Sequence, residues 1–167
     1  MLLIILIILF LLLLIPTAVA GVIGAPLAIT SKKQLKEIIE KMEIKKGDRF
    51  YELGSGTGRV MKQAGKTTKV IGFELSPIYY LISFLNLKLN KIKFKLYLKD
   101  FFRASLKEAD IVFFFLMPTP IERLKIKLEK ELKKETKVIS FCFPVKGWTP
   151  DLIIKKEKQL PVYFYRR

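Results

Sequence analysis

The chain has no histidine and a single cysteine, Cys142, in 167 residues. Zinc sites of the usual Cys/His kind, a Ser-His-Asp triad and a disulfide scaffold are therefore excluded, and no metal is expected. A general acid or base, if one is needed, has to be a carboxylate, a tyrosine or a lysine. Arginine is scarce: only 6 of the 31 cationic side chains, against 25 lysines. That ratio argues against an interface built on bidentate reading of phosphate or guanine, so no nucleic-acid partner is expected. Acids are in the minority as well, 15 in all, which leaves a net charge of +16. Such an excess suits an anionic membrane surface or an acidic partner, or it is simply a solvated lysine-rich surface. With 51% hydrophobic residues the chain is too apolar for a disordered polyelectrolyte. Its length allows one ordinary domain and a short appendage.

Charge is also missing locally. Residues 1–31 carry no ionisable side chain, and Leu2 to Ile15 is an unbroken run of Leu, Ile and Phe. Crossing a ~30 Å hydrocarbon core takes about 20 helical residues, and Leu2 to Ile23 supplies them. Ala18-Val19-Ala20 would fit a signal-peptide cleavage site, but the basic region that precedes the apolar core of a signal peptide is missing. Pro16 is tolerable in a membrane helix. The sequence thus predicts a retained anchor over residues 1–24 and a domain over 25–167. Lys32, Lys33, Lys36, Lys41, Lys45 and Lys46 follow the apolar run at once. By the positive-inside bias they place the N-terminus outside and the domain in the cytoplasm, and they would bind anionic lipid heads.

Beyond the anchor, Ser31 and Gln34 have capping-box spacing ahead of Leu35, Ile38, Ile39 and Met42, which recur at helical intervals up to a stop near Gly47-Asp48. Strands are expected over Arg49–Leu53, Lys69–Glu74, Ile92–Leu98, Asp110–Met117 and Lys137–Phe143. Helices are expected over Arg59–Ala64, from Ser76-Pro77 to about Leu89, and through Ile121, Leu124, Leu128 and Leu132, after Pro118 and Pro120 stop the fourth strand. This alternation predicts an α/β fold, a mainly parallel sheet with helices on both sides. The last segments, Leu152–Lys156 and Val162–Tyr165, lie too close for a crossover helix and should pair as a hairpin, which makes one antiparallel edge.

The most informative stretch is Glu52-Leu53-Gly54-Ser55-Gly56-Thr57-Gly58-Arg59. It joins an expected strand to an expected helix, where glycines tolerate positive φ and let backbone approach a ligand. The dinucleotide fingerprint G-x-G-x-x-G is not met, because Arg59 stands where its third glycine belongs. Glu52 before the loop suits a ligand carrying an ammonium group better than a pyrophosphate; a tight turn without ligand is the alternative. Glu74 ends the next strand, 22 residues after Glu52, where nucleotide-binding α/β folds hold ribose hydroxyls. It could equally cap the helix at Ser76. Asp100 follows the third strand and could accept from an adenine amino group. Gly65-Lys66-Thr67 is not the end of a phosphate loop, since Val60 stands where that motif needs glycine.

These residues give the chain its likeness to a family. It resembles class I S-adenosylmethionine-dependent methyltransferases, and within them the ATP synthase c-subunit lysine methyltransferases and their prokaryotic relatives. The family pattern D-L-G-S-G-D-G-R is met by Glu52 to Arg59, with Thr57 in place of an acid. Gly72-Phe73-Glu74, Ala109 to Val112 leading to Leu116-Met117-Pro118, Phe141 to Phe143, and Gly147-Trp148-Thr149-Pro150-Asp151 continue the match. Ala25-Pro26 matches too, and Thr30 remains from a Y-V-P-T stretch whose Tyr and Pro are Leu27 and Ile29 here. The resemblance implies a Rossmann-like sheet and methyl transfer from S-adenosyl-L-methionine to a protein lysine. It implies that Gly54, Ser55, Gly56 and Gly58 admit the methionine part, that Glu52 lies near its ammonium, and that Glu74 and Asp100 hold ribose and adenine. Thr30, Pro118 and Trp148 are implied at the substrate, with Trp148 as a ligand-facing wall. Phe141 and Phe143 either line the acceptor channel or pack in the core. A methyltransferase of a lipid or small molecule, and a nonenzymatic basic module at the membrane, are the competing readings.

Overall fold

The computed structural model describes residues 31–167 together with Met1, Ile4 and Leu14. Those three apart, the anchor expected over residues 1–24 lies outside the described residues, as does Thr30. Among the described residues no helix is long and apolar enough to cross a membrane.

Helix α1 (Lys32–Met42) starts as its cap dictates: the Ser31 hydroxyl accepts from the Gln34 amide at 3.1 Å. The reciprocal half of a capping box is not made. Gln34 instead donates its side-chain amide to the Leu160 carbonyl at 2.6 Å, fastening the helix to the far end of the chain. The helix also stops earlier than Gly47-Asp48, because Glu43 turns into the left-handed region at φ 48°. Leu35, Ile38 and Met42 are its buried stripe.

Strands β1 (Arg49–Leu53), β2 (Lys69–Glu74), β3 (Phe94–Leu98), β4 (Ile111–Phe114) and β5 (Lys137–Phe141) are parallel. They alternate with α2 (Arg59–Ala64), α3 (Pro77–Leu89), a 3-10 turn (Phe101–Arg103) and α4 (Pro118–Glu131). β6 (Leu152–Ile154) and β7 (Val162–Arg166) form the expected hairpin. The order across the sheet is β3-β2-β1-β4-β5-β7-β6. The reversed strand β7 pairs with β5 on one side and β6 on the other, so antiparallel pairing is confined to that edge. The fourth strand ends at Phe114, short of the expected Met117, and Pro118 takes the first helical position of α4. A proline there loses no helical hydrogen bond and arrives with helical φ.

Alternation within the strands builds two apolar layers. On one face Leu53, Val112, Phe114 and Val138 pack beneath Ile121, Leu124 and Leu128 of α4. On the other, Phe50, Val70, Phe113 and Ile139 pack beneath Ile38, Met42, Met61 and Leu87 of α1, α2 and α3. Each side chain of this kind contributes about 1.5–3 kcal/mol when fully buried. β4, covered on both faces, accordingly has four buried residues in a row. Among the described residues no α-helix covers the α4 side of β2 and β3, and a recess of about 1590 Å³ remains there, lined by Ile71, Phe73, Tyr97, Lys93 and Lys95.

Gly72 decides how closely α2 packs. A Cβ there would lie 2.3 Å from Sδ of Met61 and 2.9 Å from Leu96, and Met61 is fully buried. Gly72→Ala is expected to cost about 1–3 kcal/mol through overpacking. Urea unfolding checks this as a lower midpoint at unchanged slope.

Candidate cofactor site

Sheet order reverses direction between β1 and β4, and in open α/β sheets ligands bind outside the carboxyl ends of the strands at such a switch point. The glycine loop leaves β1 at that place. Gly54, Gly56 and Gly58 have φ of 85°, 51° and 73°, a region costly for residues bearing a Cβ. They serve two purposes. A Cβ on Gly58 would come within 2.5 Å of the Ser83 hydroxyl and 3.3 Å of the Ser83 Cα, so this glycine lets the loop lie against α3. A Cβ on Gly54 or Gly56 would meet nothing within 4 Å, so these two face open space.

The loop is fastened from three sides. The amides of Gly54 and Ser55 both donate to the Phe73 carbonyl, at 3.0 and 2.9 Å. Asn86 of α3 donates its side-chain amide to the Thr57 carbonyl at 2.8 Å. Glu74 accepts from the Gly56 amide at 2.7 Å. Its other oxygen accepts from Leu75 and Ser76, both at 2.9 Å. Burial pushes the Glu74 carboxyl above its ordinary range, against the pull of those three amides.

Glu52 faces the α2 side of the sheet and is only 4% exposed. The N-cap of α2 is Gly58, which has no side chain to offer. Glu52 fills that role from a distance, accepting from the Met61 amide in the first turn at 3.0 Å. Burial dominates its protonation all the same: the carboxyl sits well above its ordinary value near 4.5, with the Met61 amide opposing and the charge of Glu74 reinforcing the rise. Asp100 stands at the same edge. The amide of its neighbour Lys99 donates to the Glu74 carbonyl at 3.0 Å, and one Asp100 oxygen caps the 3-10 turn through the Phe102 amide at 2.9 Å.

The structure therefore brings Glu52, Gly54, Ser55, Gly56, Gly58, Glu74 and Asp100 to one sheet edge. Pro118 is exposed at that edge too, directly beyond β4. Trp148 is not brought there. Its ring packs on Tyr165 at 5.5 Å, lies 4.5 Å beneath the Arg167 guanidinium, and its Nε1 donates to Glu129 at 2.9 Å. Tyr165 is paired with Val138 near the start of β5, and Glu129 is in the last turn of α4. Trp148 thus belongs to the opposite, amino edge, and the expected ligand-facing wall is a packing residue. Phe141 is buried against Phe113 and Phe115, and Phe143 packs against the α4 layer. The recess over β2 and β3 contains none of the acids or loop residues of the carboxyl edge.

Two contributors were missed in the sequence, Ser83 and Asn86. Both lie on the inward face of α3 against the loop, and their spacing of three within an apolar helix was the available signal. The hydroxyls of Ser55 and Ser83 are buried with no hydrogen-bond partner among the described residues.

Because both carboxyls are raised, the folded chain holds protons that the unfolded chain releases. Stability is expected to fall as pH rises from the ordinary carboxylate range to the raised value of Glu52, and to level off above it. Glu52→Gln should flatten that fall, read as denaturant midpoints over a pH series. A slope unchanged by the substitution would remove Glu52 as its source.

Set beside known proteins, residues 52–152 match the ANTKMT methyltransferase domain, which is more than half of the chain. A protein-lysine N-methyltransferase of Saccharolobus islandicus is 33% identical over 79% of this chain and 85% of its own length. The human ATP synthase c-subunit lysine N-methyltransferase is 28% identical over 75% of this chain, which spans 55% of that longer protein. Among solved structures, an RNA methyltransferase from Salinibacter ruber in complex with S-adenosyl-L-homocysteine superposes with a TM-score of 0.79 at 27% identity, covering 83% of this chain and 93% of the other. With the loop, the acids and the strand order all at one edge, the chain belongs to the ANTKMT methyltransferase-domain family, as an S-adenosylmethionine-dependent methyltransferase.

Proposed function

We propose that this chain is anchored in a membrane by residues 1–24, carries its catalytic domain on the cytoplasmic side, and methylates a lysine of a protein in or at that membrane. The observation that carries the reading is the convergence of three carboxylates and two glycines facing open space on one strand edge. The residues fit the cofactor. Gly54 and Gly56 leave room for its methionine part, and Glu52 offers a buried carboxyl whose ionised form the ammonium would stabilise. Glu74, with its carboxylate already oriented by three amides, would hold the ribose hydroxyls. Asp100 would accept from the adenine amino group, and the unpartnered hydroxyl of Ser55 adds a polar contact in the loop.

When bound, the cofactor supplies a methyl group already activated on sulfur, so the protein's work is alignment and exclusion of water. An attacking lysine must first lose its proton. The opening at the carboxyl end of β4, with Met117 exposed beside Pro118 and Phe115 half-buried behind them, is apolar. Such surroundings disfavour the ammonium form and lower the amine's pKa. Thr30, from the segment just before α1, is assigned to the same opening on family likeness. Leu2 to Ile23 supports the anchor, and the lysines from Lys32 to Lys46 support both its orientation and contact with anionic lipid.

Membranes incubated with the full chain and methyl-labelled cofactor are expected to yield label on lysine side chains of protein. Label found only in lipid would favour the lipid substrate, and label in RNA would overturn the lysine reading. Glu74→Ala should weaken cofactor binding about tenfold or more, the loss of at least one contact of ~1.4 kcal/mol. Titration calorimetry reads it, and unchanged affinity would remove the ribose assignment.

A further inference from the structure

Helix α3 is unlike the other surface helices of this chain. Ile78, Leu81, Ile82, Leu85 and Leu89 are exposed, Leu81 by 56% and Leu89 by 79%, and Leu75 continues the series ahead of the helix. Their spacings of three, four and seven put them on one side, about 100° apart per residue, opposite the buried Ser83 and Leu87. Scattered exposed leucines are ordinary, whereas a contiguous stripe marks a contact surface. The water-facing sides of α1 and α4 are built differently. They carry Lys36–Glu40 and Lys125–Glu129 pairs, and α4 exposes one large apolar side chain beyond its start, Ile126.

Charge identifies what covers the stripe. Residues 75–99 contain no acid and five lysines, Lys88, Lys91, Lys93, Lys95 and Lys99, all exposed. β3 is the outermost strand, and among the described residues no element lies beyond α3 on that flank. An apolar stripe continuous with Lys88 and Lys91, in a stretch with no acid to oppose them, matches a surface whose interior is hydrocarbon and whose heads are anionic. An acidic peptide would meet the lysines and leave the leucines in water. A second copy would cover the leucines and bring two acid-free lysine segments together.

We infer that the outer face of α3 is a second membrane contact, lying in the head-group region of an anionic bilayer with Lys88 and Lys91 on lipid heads. The stripe begins at Leu75, the residue after Glu74. Docking it on lipid holds the carboxyl edge of the sheet beside the bilayer surface, where an interfacial lysine of a membrane protein can reach Met117 and Pro118. The inference shares with the proposed anchor only the presence of a bilayer, and it holds whichever acceptor is methylated.

Depth quenching tests it on the full chain. In a Cys142→Ser background, a fluorophore is placed at Leu81→Cys or Leu85→Cys, with Glu157→Cys as the control in the β6–β7 turn. The proteins are reconstituted in phosphatidylcholine vesicles, with and without phosphatidylglycerol, that contain nitroxide-bearing lipid. Cofactor binding by each labelled chain reports an intact fold. Labels on α3 are expected to be quenched several-fold more than the control, and less so without phosphatidylglycerol or at high salt. A chain that stays with the vesicles while its α3 labels match the control overturns this inference and leaves the anchor standing. A chain that leaves anionic vesicles at low salt overturns both. Protection of α3 labels that disappears on dilution, without lipid quenching, assigns the face to a second copy and overturns the lipid contact.

Discussion

A single buried carboxylate joins the parts on which the site depends. Glu74 ends β2, and its two oxygens take the amides of Gly56, Leu75 and Ser76. One of these belongs to the loop after β1 and two to the turn into α3, so the strand end, the loop and the helix start are held in one arrangement. Taking a carboxylate out of water is expensive, and three amide donors offset much of that cost. The residual strain shows as its raised protonation range. A ligand with neighbouring hydroxyls would find these oxygens already oriented.

Glu52 carries a related tension. It serves as the distant cap of a helix whose own cap residue is glycine, and that glycine is required because α3 passes too near for any side chain. The loop's need for close packing has thus displaced the capping task onto a strand residue, and the displaced acid is buried beside the second one. Two carboxyls raised by burial at the mouth of an open edge make a pocket that gains from a cationic ligand. A cofactor carrying an ammonium and a sulfonium is such a ligand.

The surface divides by the same physics. α1 and α4 face water with the i,i+4 ion pairs Lys36–Glu40 and Lys125–Glu129, each a contribution of only a few tenths of a kcal/mol, roughly 0.3–0.5. Their value lies in keeping those helix faces soluble. α3 has none of them and exposes leucine instead. In a chain with net charge +16, the proposed anchor and the α3 face would together restrict the domain's orientation on a bilayer.

Periodicity alone determined the skeleton. Continuous apolar runs of strand length, broken by glycine, proline and lysine-rich turns, located β1, β2 and α2 to the residue, since backbone hydrogen bonding and burial on both sheet faces act over short stretches. The glycine spacing and the acids at strand ends were also visible, because ligand-binding loops in such sheets sit at chain positions set by strand length. What the sequence could not decide was direction in space. Trp148 lies in a segment that looks ligand-facing when read along the chain, yet the antiparallel return of β7 carries its partner Tyr165 back to the amino edge. Gln34 answers to Leu160 rather than to its own helix, and Ser83 and Asn86 become loop supports only once α3 folds over Gly58. Contacts between residues far apart in the chain depend on which sheet edge each strand presents, and only the assembled tertiary structure settles that.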